Sequence, residues 1–208
     1  MNDAPSNHSP HMRARRLIAA FQHRLSQHKG EGVDEVLTRL AAQNLDLLRE
    51  TQPKTLEVLR FLDGSLTEAA EFDTEIAASI AALVPALEWM QSSAYTDAVL
   101  GAGFTANYGW CEIIGPRGFF KGDDFLLGLL MLGPNRHYLD HHHPAPELYW
   151  PLTGGTLWRK GNSDLIERAA GTPIWHPAHV VHATKTLDTP LLTFWSWTRD
   201  TSVAARLV

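Results

Sequence analysis

The sequence has little of what an extracellular or membrane-bound protein needs. Cys111 is its single cysteine, which excludes an internal disulfide framework and fits a reducing cytosol. No run of about 18 apolar residues occurs that could span a bilayer. The polar stretch at residues 1–16 has no apolar core of the kind a signal peptide carries. We therefore predict a cytoplasmic protein that does not associate with a membrane.

A concentration of positive charge is missing as well. The 18 lysines and arginines are scattered and the formal net charge is −5, whereas a nucleic-acid-binding surface needs a basic stripe. With 44% hydrophobic and 20% charged residues, the composition is that of a soluble globular protein. The expected partner is therefore a small molecule rather than nucleic acid, and we expect a monomer or a homodimer.

Apolar residues in the first part of the chain recur at helical spacing. Four apolar stripes predict helices over residues 17–25, 33–48, 56–62 and 67–83. Gly30 and Gly32 separate the first two helices, and the sequence DGS at 63–65 is interpreted as a break before the fourth. We predict a helical segment over residues 1–95 that covers a second unit, with about the first 12 residues disordered.

From residue 96 onward, short segments rich in aromatic and branched residues alternate with turn sequences. The predicted strands are WCEII (110–114), DFLLGLLML (124–132), ELYWPL (147–152), TLWRKG (156–161), TPIWH (172–176) and LLTFWSW (191–197). Many short strands separated by turns predict an antiparallel sandwich or barrel. The expected fold class is mainly β, with an antiparallel β-barrel over residues 96–208 and an N-terminal helical segment.

What the sequence does have is histidine, concentrated in HYLDHHHPAPELYWPLTGG (137–155). His141 and His143 are two residues apart, so on a strand their side chains point to the same face. Glu147 and Tyr149 share that parity. Prolines at 144 and 146 prevent a regular paired strand between the two halves, and a bend there would bring Glu147 back towards the histidines.

A further ligand is available in GTPIWHPAHVVHATK (171–185), where His182 lies on a predicted strand. Three imidazoles and one carboxylate suit zinc, iron(II), manganese, cobalt or nickel. One negative ligand on a dication leaves net positive charge, which would attract a substrate anion. His179 is an alternative to His182, whereas His137, His142 and His176 are expected to have solvent or packing roles.

Two ordered sequence patterns resemble the motifs of the cupin superfamily. The first motif, His-x-His, three residues, Glu, six residues, Gly, is matched by His141, His143, Glu147 and Gly154. The second, Gly, five residues, Pro-x-Gly, two residues, His, is matched by Gly171, Pro177 and His182. The resemblance implies a jelly-roll-like cupin barrel in which His141, His143, Glu147 and His182 bind the metal ion.

The chain departs from the cupin pattern at three places. His179 stands where the second motif has Gly, Thr186 stands where the family has Asn, and Gly133 is the nearest candidate for the displaced first Gly. These departures leave the four ligand positions intact and concern the geometry of the loops around them.

A narrower resemblance is to the cupin dimethylsulfoniopropionate (DMSP) lyases, which combine a helical N-terminal part with a C-terminal cupin. They carry a tyrosine two residues after the metal-binding Glu, and some carry another five residues before the second His. Tyr149 and Tyr138 occupy those places, and residues 132–159 resemble the family throughout. The implied activity is that of a metal-dependent carbon–sulfur lyase, which cleaves DMSP to dimethyl sulfide and acrylate by β-elimination.

That reaction assigns roles to the remaining residues. The metal ion would bind the substrate carboxylate as a Lewis acid, and a tyrosine whose pKa of about 10 is lowered by the dication would be the base. Tyr149 shares the parity of Glu147, whereas Tyr138 reaches the same cavity only if the strand bulges. An aromatic face would hold the sulfonium by cation–π attraction; the candidates are Trp150, Trp158, Trp175, Phe194, Trp195 and Trp197.

Two other functions are compatible with the same ligands. An iron(II) dioxygenase or an isomerase would use a different substrate, and an oxygenase would depend on oxygen. A cupin that binds a small molecule without turnover is the third alternative, although no DNA-binding module accompanies the barrel as in a sensor protein.

Overall fold

The computed structural model describes residues 9–208. Helices occupy the first half of these residues: α1 (Pro10–Leu25), α2 (Glu31–Ala41), α3 (Leu62–Phe72), α4 (Thr74–Leu83) and the short α5 (Asp97–Leu100), with 3₁₀ turns at Glu57–Phe61, Val84–Ala86 and Thr105–Asn107. Strands occupy the second half: β1 (Tyr108–Ile114), β2 (Leu126–Leu132), β3 (His137–His142), β4 (Glu147–Pro151), β5 (Thr156–Lys160), β6 (Ile166–Arg168), β7 (Ile174–His176), β8 (His182–Thr186), β9 (Leu191–Trp197) and β10 (Arg206–Leu207).

The strands form two five-stranded sheets in which every named pair is antiparallel. The first sheet has the order β1-β2-β9-β4-β7 and the second has the order β10-β3-β8-β5-β6. The predicted antiparallel barrel with an N-terminal helical layer is therefore confirmed. Strands β6 and β10 and helix α5 were not predicted, because elements of two to four residues are too short to show a hydrophobic period.

The helical layer covers one face of the first sheet. Side chains alternate between the two faces of a strand, so Trp150 of β4 and Phe194 of β9 point towards the helices. The Trp150 ring contacts Phe21 of α1 and Phe72 of α3, each with ring centroids 5.6 Å apart. The intervening residues of these strands point the other way, into the barrel.

The break between the third and fourth predicted helices lies at a different residue. The sequence DGS is inside α3, and the chain is interrupted ten residues later at Asp73. The Asp73 carboxylate accepts a hydrogen bond from the backbone N–H of Ile76 at 3.0 Å and so caps α4. A capping side chain satisfies donors that a helix start leaves open, whereas Gly64 lies in the first turn of α3 and does not interrupt it.

The second predicted helix is too long. Helix α2 ends at Ala41, and Leu47 and Leu48 lie in the following loop with about half of their surface exposed. In that loop the Asn44 side chain accepts a hydrogen bond from the backbone N–H of Asp46 at 2.9 Å. Such a local bond favours a turn over a further helical turn.

The predicted division of the chain at residue 95 stays a prediction. The expected disorder of the first residues falls, for residues 1–8, outside the described residues, and residues 10–12 belong to the first turn of α1. Within residues 9–208, none of the helices combines the length and the apolar character needed to cross a bilayer.

Candidate metal centre

Four buried side chains from both sheets meet inside the barrel. His141 lies in β3, His143 follows directly after β3, and His182 is the first residue of β8. Glu147 is the first residue of β4, in the other sheet. The connection at residues 144–146 leads the chain from one sheet to the other, which is the bend that its two prolines predict.

The spacing of these side chains is that of metal ligands. Each of them offers one ligand atom, and these four atoms lie within 4.8 Å of one another. The Glu147 Oε2 atom is 3.1 Å from His143 Nε2 and 3.2 Å from His182 Nε2. Because ligand bonds to zinc are about 2.1 Å long and arranged as a tetrahedron, ligand atoms around one zinc ion are about 3.4 Å apart.

Each of the three imidazoles is oriented by a hydrogen bond from its Nδ1 atom to a backbone carbonyl. The Nδ1 atom of each ring donates to a carbonyl two residues away: His141 to Leu139 at 2.8 Å, His143 to Ala145 at 2.7 Å and His182 to Val180 at 2.9 Å. The proton on Nδ1 leaves Nε2 as an acceptor directed at the centre of the cluster. Bonds of this kind fix the tautomer and the ring orientation of metal-binding histidines.

The carboxylate of the cluster is fixed on its outer side. Trp197 Nε1 donates a hydrogen bond to Glu147 Oε1 at 2.8 Å, which leaves Oε2 facing the imidazoles. Burial alone would raise the pKa of Glu147, but the neighbouring His143 and His182 hold that pKa well below its usual range. Burial and the adjacent His182 keep the pKa of His141 well below its usual value. The cluster therefore presents a carboxylate anion beside a neutral His141.

These residues fit a divalent cation. His182 Nε2 is buried without a hydrogen-bond partner, and it lies 3.2 Å from Glu147 Oε2. An acceptor nitrogen facing a carboxylate oxygen is unfavourable unless a positive charge lies between them. A divalent ion with a preference for nitrogen and oxygen ligands supplies that charge.

The other histidines lie outside this group of four. His179 is exposed, adopts a left-handed backbone conformation (φ 62°), and contacts the cluster only through its backbone, which donates to the His143 carbonyl at 2.9 Å. His137 and His142 are half-buried. Among the described residues, the group with metal-ligand spacing therefore contains His182 rather than His179.

His176 is closer to the cluster than its expected packing role implied. It is buried and stacks on the His182 ring, with centroids 4.2 Å apart and planes 16° from parallel. Burial and His182 lower its pKa well below the usual value, and neither ring nitrogen has a hydrogen-bond partner. Its neighbour across the ladder is Glu147, a pairing between strands 29 residues apart that local spacing does not reveal.

A cavity of about 380 Å³ adjoins the cluster, and Tyr138 and Tyr149 both line it along with Glu147. Tyr138 reaches the cavity because the β3–β8 register shifts between Tyr138 and His141, which is the bulge that its parity requires. Tyr95 and Tyr108 also line this cavity, so all four tyrosines of the chain meet there. Tyr95 and Tyr108 were not predicted as site residues, because they lie outside the histidine segment.

The tyrosines of the cavity are held in the neutral form by their surroundings. Burial, and then the Glu147 carboxylate, raise the pKa of Tyr149 well above its ordinary value. Burial, and then the neighbouring Tyr108, do the same to the pKa of Tyr138. A cation held by the four-residue cluster would act in the opposite direction, because positive charge favours the phenolate.

Only some of the aromatic side chains that were candidates for binding the sulfonium face the cavity. Trp195 and Trp197 of β9 line the cavity, as does Trp110 of β1, which was not among the candidates. Trp158 stands behind Tyr149, with ring centroids 5.0 Å apart. The remaining three candidates pack in the core beneath the helices: Trp150, Trp175 and Phe194.

Two of the departures from the cupin pattern lie together in the structure. The Thr186 hydroxyl donates to the Gly133 carbonyl at 2.7 Å and accepts from the backbone N–H of Arg136 at 2.9 Å. Thr186 thereby ties the loop that precedes β3 to the end of β8. The Gly133 carbonyl needs a donor and the Arg136 N–H needs an acceptor, and a hydroxyl group supplies both.

Comparisons with known proteins show the family of the chain. A family model described as dimethylsulfoniopropionate lyase matches residues 16–193. The chain is 29% identical over 110 residues to dimethylsulfoniopropionate lyase DddQ of Ruegeria pomeroyi, an alignment that covers 53% of this chain and about half (55%) of that relative's length.

Solved structures agree over a longer part of the chain. A chain from the crystal structures of the DMSP lyases RdDddP and RnDddQII superposes with a TM-score of 0.74 at 26% identity, over 96% of this chain and 100% of that one. The crystal structure of DddQ from Ruegeria pomeroyi DSS-3 superposes with a TM-score of 0.74 at 22% identity, over 95% and 96% of the two chains.

Proposed function

Because the chain belongs to the dimethylsulfoniopropionate lyase family, we propose that it cleaves DMSP to dimethyl sulfide and acrylate by β-elimination. The observation that carries this proposal is the convergence of a four-residue cluster with metal-ligand spacing and of Tyr138 and Tyr149 on one cavity. Ligands for a Lewis acid and candidate bases are the two components that this elimination requires.

The cofactor we propose is one divalent transition-metal ion held by His141, His143, Glu147 and His182. Zinc, iron(II), manganese, cobalt and nickel all accept this set of nitrogen and oxygen ligands. When bound, the ion would hold the substrate carboxylate and stabilise the negative charge that develops when the adjacent carbon loses its proton.

Tyr149 is the base in this proposal. It is the second residue after Glu147 on β4 and points to the same side of the sheet, so its phenol and the Glu147 carboxylate border the same cavity. A phenolate beside the substrate would take the proton from the carbon next to the carboxylate. The carbon–sulfur bond then breaks, and its electron pair leaves with dimethyl sulfide.

Tyr138 has a supporting role in the same cavity. Its ring stacks on the His141 ring with centroids 4.1 Å apart and planes 9° from parallel, and it contacts Tyr95 with centroids 5.3 Å apart. This position suits orientation of the substrate carboxylate. It also makes Tyr138 the alternative base if Tyr149 is dispensable.

The walls of the cavity suit a cationic leaving group. Trp195 and Trp197 present indole rings to it, and Trp110 contacts Trp195 edge to face with centroids 5.7 Å apart. Aromatic faces attract a desolvated cation, so this wall would hold the sulfonium end of the substrate while the carboxylate end lies at the metal site. Cytoplasmic location and a monomeric or homodimeric state remain part of the proposal.

Headspace gas chromatography tests the activity directly. Purified protein supplied with each candidate metal in turn is expected to release dimethyl sulfide from DMSP under air and under argon alike, and a chelator is expected to abolish the release. The substitution His141→Ala should act like the chelator, whereas His142→Ala, in the next position of the same run, should retain activity. If no metal gives dimethyl sulfide, the substrate assignment is wrong; a strict need for oxygen would favour a dioxygenase.

A further inference from the structure

A second carboxylate, from Glu112 of β1, lines the same cavity as Glu147 of the proposed metal site. Its side chain is buried, with 4% of the residue surface exposed. Among the described residues that line the cavity, the acidic side chains are Glu112 and Glu147, and none is a lysine or an arginine. Glu147 belongs to the metal cluster, so Glu112 is the negative charge that remains for the rest of the cavity.

Glu112 lies on the same row of the sheet as the proposed base. Across the strands, Glu112 is opposite Gly128, Gly128 is opposite Trp195, and Trp195 is opposite Tyr149. A Cβ at position 128 would lie 2.7 Å from Trp195 Nε1, so glycine at this position leaves room for the indole ring. The indole of Trp195 therefore extends over Gly128, between the phenol of Tyr149 and the carboxylate of Glu112.

The Glu112 carboxylate is held in place by a backbone hydrogen bond rather than by an ion pair. Its Oε2 atom accepts a hydrogen bond from the backbone N–H of Arg117 at 2.7 Å. The Arg117 guanidinium instead pairs with Glu88 at 2.9 Å, and within residues 9–208 Glu112 forms no ion pair. The charges of Arg117 and Arg49 act on Glu112 without forming an ion pair, and burial outweighs them. A buried carboxylate that lacks an ion pair costs stability, and such groups cluster at functional sites.

Burial raises the pKa of Glu112 to about 7. The group is therefore divided between its neutral and anionic forms near neutral pH, and a cation placed in the cavity would favour the anion. A cationic ligand would supply the missing partner of this carboxylate.

We propose that Glu112 is a specificity-determining residue, whose carboxylate recognises the positively charged end of a zwitterionic substrate while its carboxylate end lies at the metal site. The inference rests on the proposed function for the orientation of the substrate. It extends that function by assigning the cavity a preference for zwitterions over neutral-tailed acids of the same shape.

The recognition of positive charge can be tested with two carboxylic acids that have the same shape but differ in the charge of the tail. The zwitterion 3-(trimethylammonio)propanoate carries a quaternary nitrogen where 4,4-dimethylpentanoate carries a quaternary carbon. Their dissociation constants are measured by calorimetry on metal-loaded protein, which needs no turnover. The wild-type protein should bind the zwitterion more tightly, and Glu112→Gln should reduce this preference about tenfold, the change that about 1.4 kcal/mol produces, while affinity for the neutral acid is retained.

Glu167→Gln is the matched control. It removes the same charge from an exposed residue of β6 that does not line the cavity, and should leave the preference unchanged. Equal binding of the two acids by the wild-type protein, or the same preference in Glu112→Gln, would overturn the inference. If the charge preference depends on Glu112 but no dimethyl sulfide forms, the proposed activity fails and the recognition of zwitterions stands.

Discussion

The orientation and the pKa of the site side chains depend on their immediate neighbours. Each of the three clustered histidines donates its Nδ1 proton to a carbonyl, so each Nε2 faces the cluster centre as an acceptor. Glu147 is anionic because His143 and His182 outweigh the effect of burial on its pKa. For Glu112, burial outweighs the hydrogen bond and the charge of Arg117, and its pKa rises to about 7. Two buried glutamates in one cavity thus have opposite protonation preferences.

Replacement of Tyr149 tests the proposed base. We expect Tyr149→Phe to lower kcat by about 10²- to 10⁴-fold, the range for loss of a general base, with unchanged metal content by elemental analysis. Tyr138→Phe should mainly raise KM, because that residue is assigned to substrate orientation. Full turnover in Tyr149→Phe together with an inactive Tyr138→Phe would exchange the two roles.

The raised pKa of Glu112 predicts a pH dependence of stability. Between about pH 4.5, the ordinary value, and about 7, the folded protein binds more protons at this site than the unfolded chain does. The free energy of unfolding should therefore decrease as pH rises through this window and then level off. The decrease should be on the order of 3 kcal/mol relative to Glu112→Gln.

Urea unfolding of both proteins from pH 4 to 8 measures this difference. The substitution keeps an oxygen that can accept from Arg117, so other titrating groups contribute equally to the two curves. Parallel curves would mean that Glu112 stays ionised throughout.

At the scale of secondary-structure elements, the two faces of each strand separate packing from chemistry. In β4, Trp150 packs under the helices, whereas Glu147 and Tyr149 line the cavity. In β9, Phe194 packs under the helices, whereas Trp195 lines the cavity. The helices hold the outer face of the sheet whose inner face carries the proposed base, so the fit between helices and sheet should affect stability.

Gly171 tests the fit between α3 and the sheet. It has φ 78°, and a Cβ there would lie 2.3 Å from the Phe72 ring. Gly171→Ala is therefore expected to lower the free energy of unfolding by about 1–3 kcal/mol or more, through backbone strain and overpacking. Urea unfolding measures the change. Gly154→Ala is the control, since the nearest atom to its Cβ is at 3.7 Å; equal losses in both variants would argue against the packing explanation.

At the scale of the whole molecule, the cluster connects the two sheets. His141 and His182 come from one sheet and Glu147 from the other. An ion bound by all of them would join the two layers through bonds that the unfolded chain does not form in this geometry. Binding to the folded state alone stabilises it according to the free metal concentration.

Removal of the metal should therefore lower the melting temperature. At a free metal concentration 100 times Kd, we expect about 2.7 kcal/mol of stabilisation, measured by calorimetry with and without chelator. The His141→Ala variant should lose most of this difference, and His142→Ala should keep it. A wild-type melting temperature that does not respond to chelator or to added metal would contradict binding at this cluster.

The sequence by itself determined the features that depend on short-range geometry. His141, His143, Glu147 and Tyr149 lie within nine residues, so strand parity and a proline-bent connection were sufficient to group them. The antiparallel barrel followed from short strands separated by turns. Helix ends were less predictable, because the cap at Asp73 and the turn at Asn44 depend on individual hydrogen bonds.

Only the tertiary structure decided which distant residues share the cavity. Tyr95, Tyr108, Trp110 and Glu112 precede the histidine segment by 25 residues or more, and no local pattern marks them. The last three reach the site because β1 is joined to β4 through β2 and β9, an order set by long-range pairing. Likewise, a bulge in β3 turns Tyr138 inward. The sequence predicted the four candidate ligands, and the fold showed which side chains form the walls of the cavity beside them.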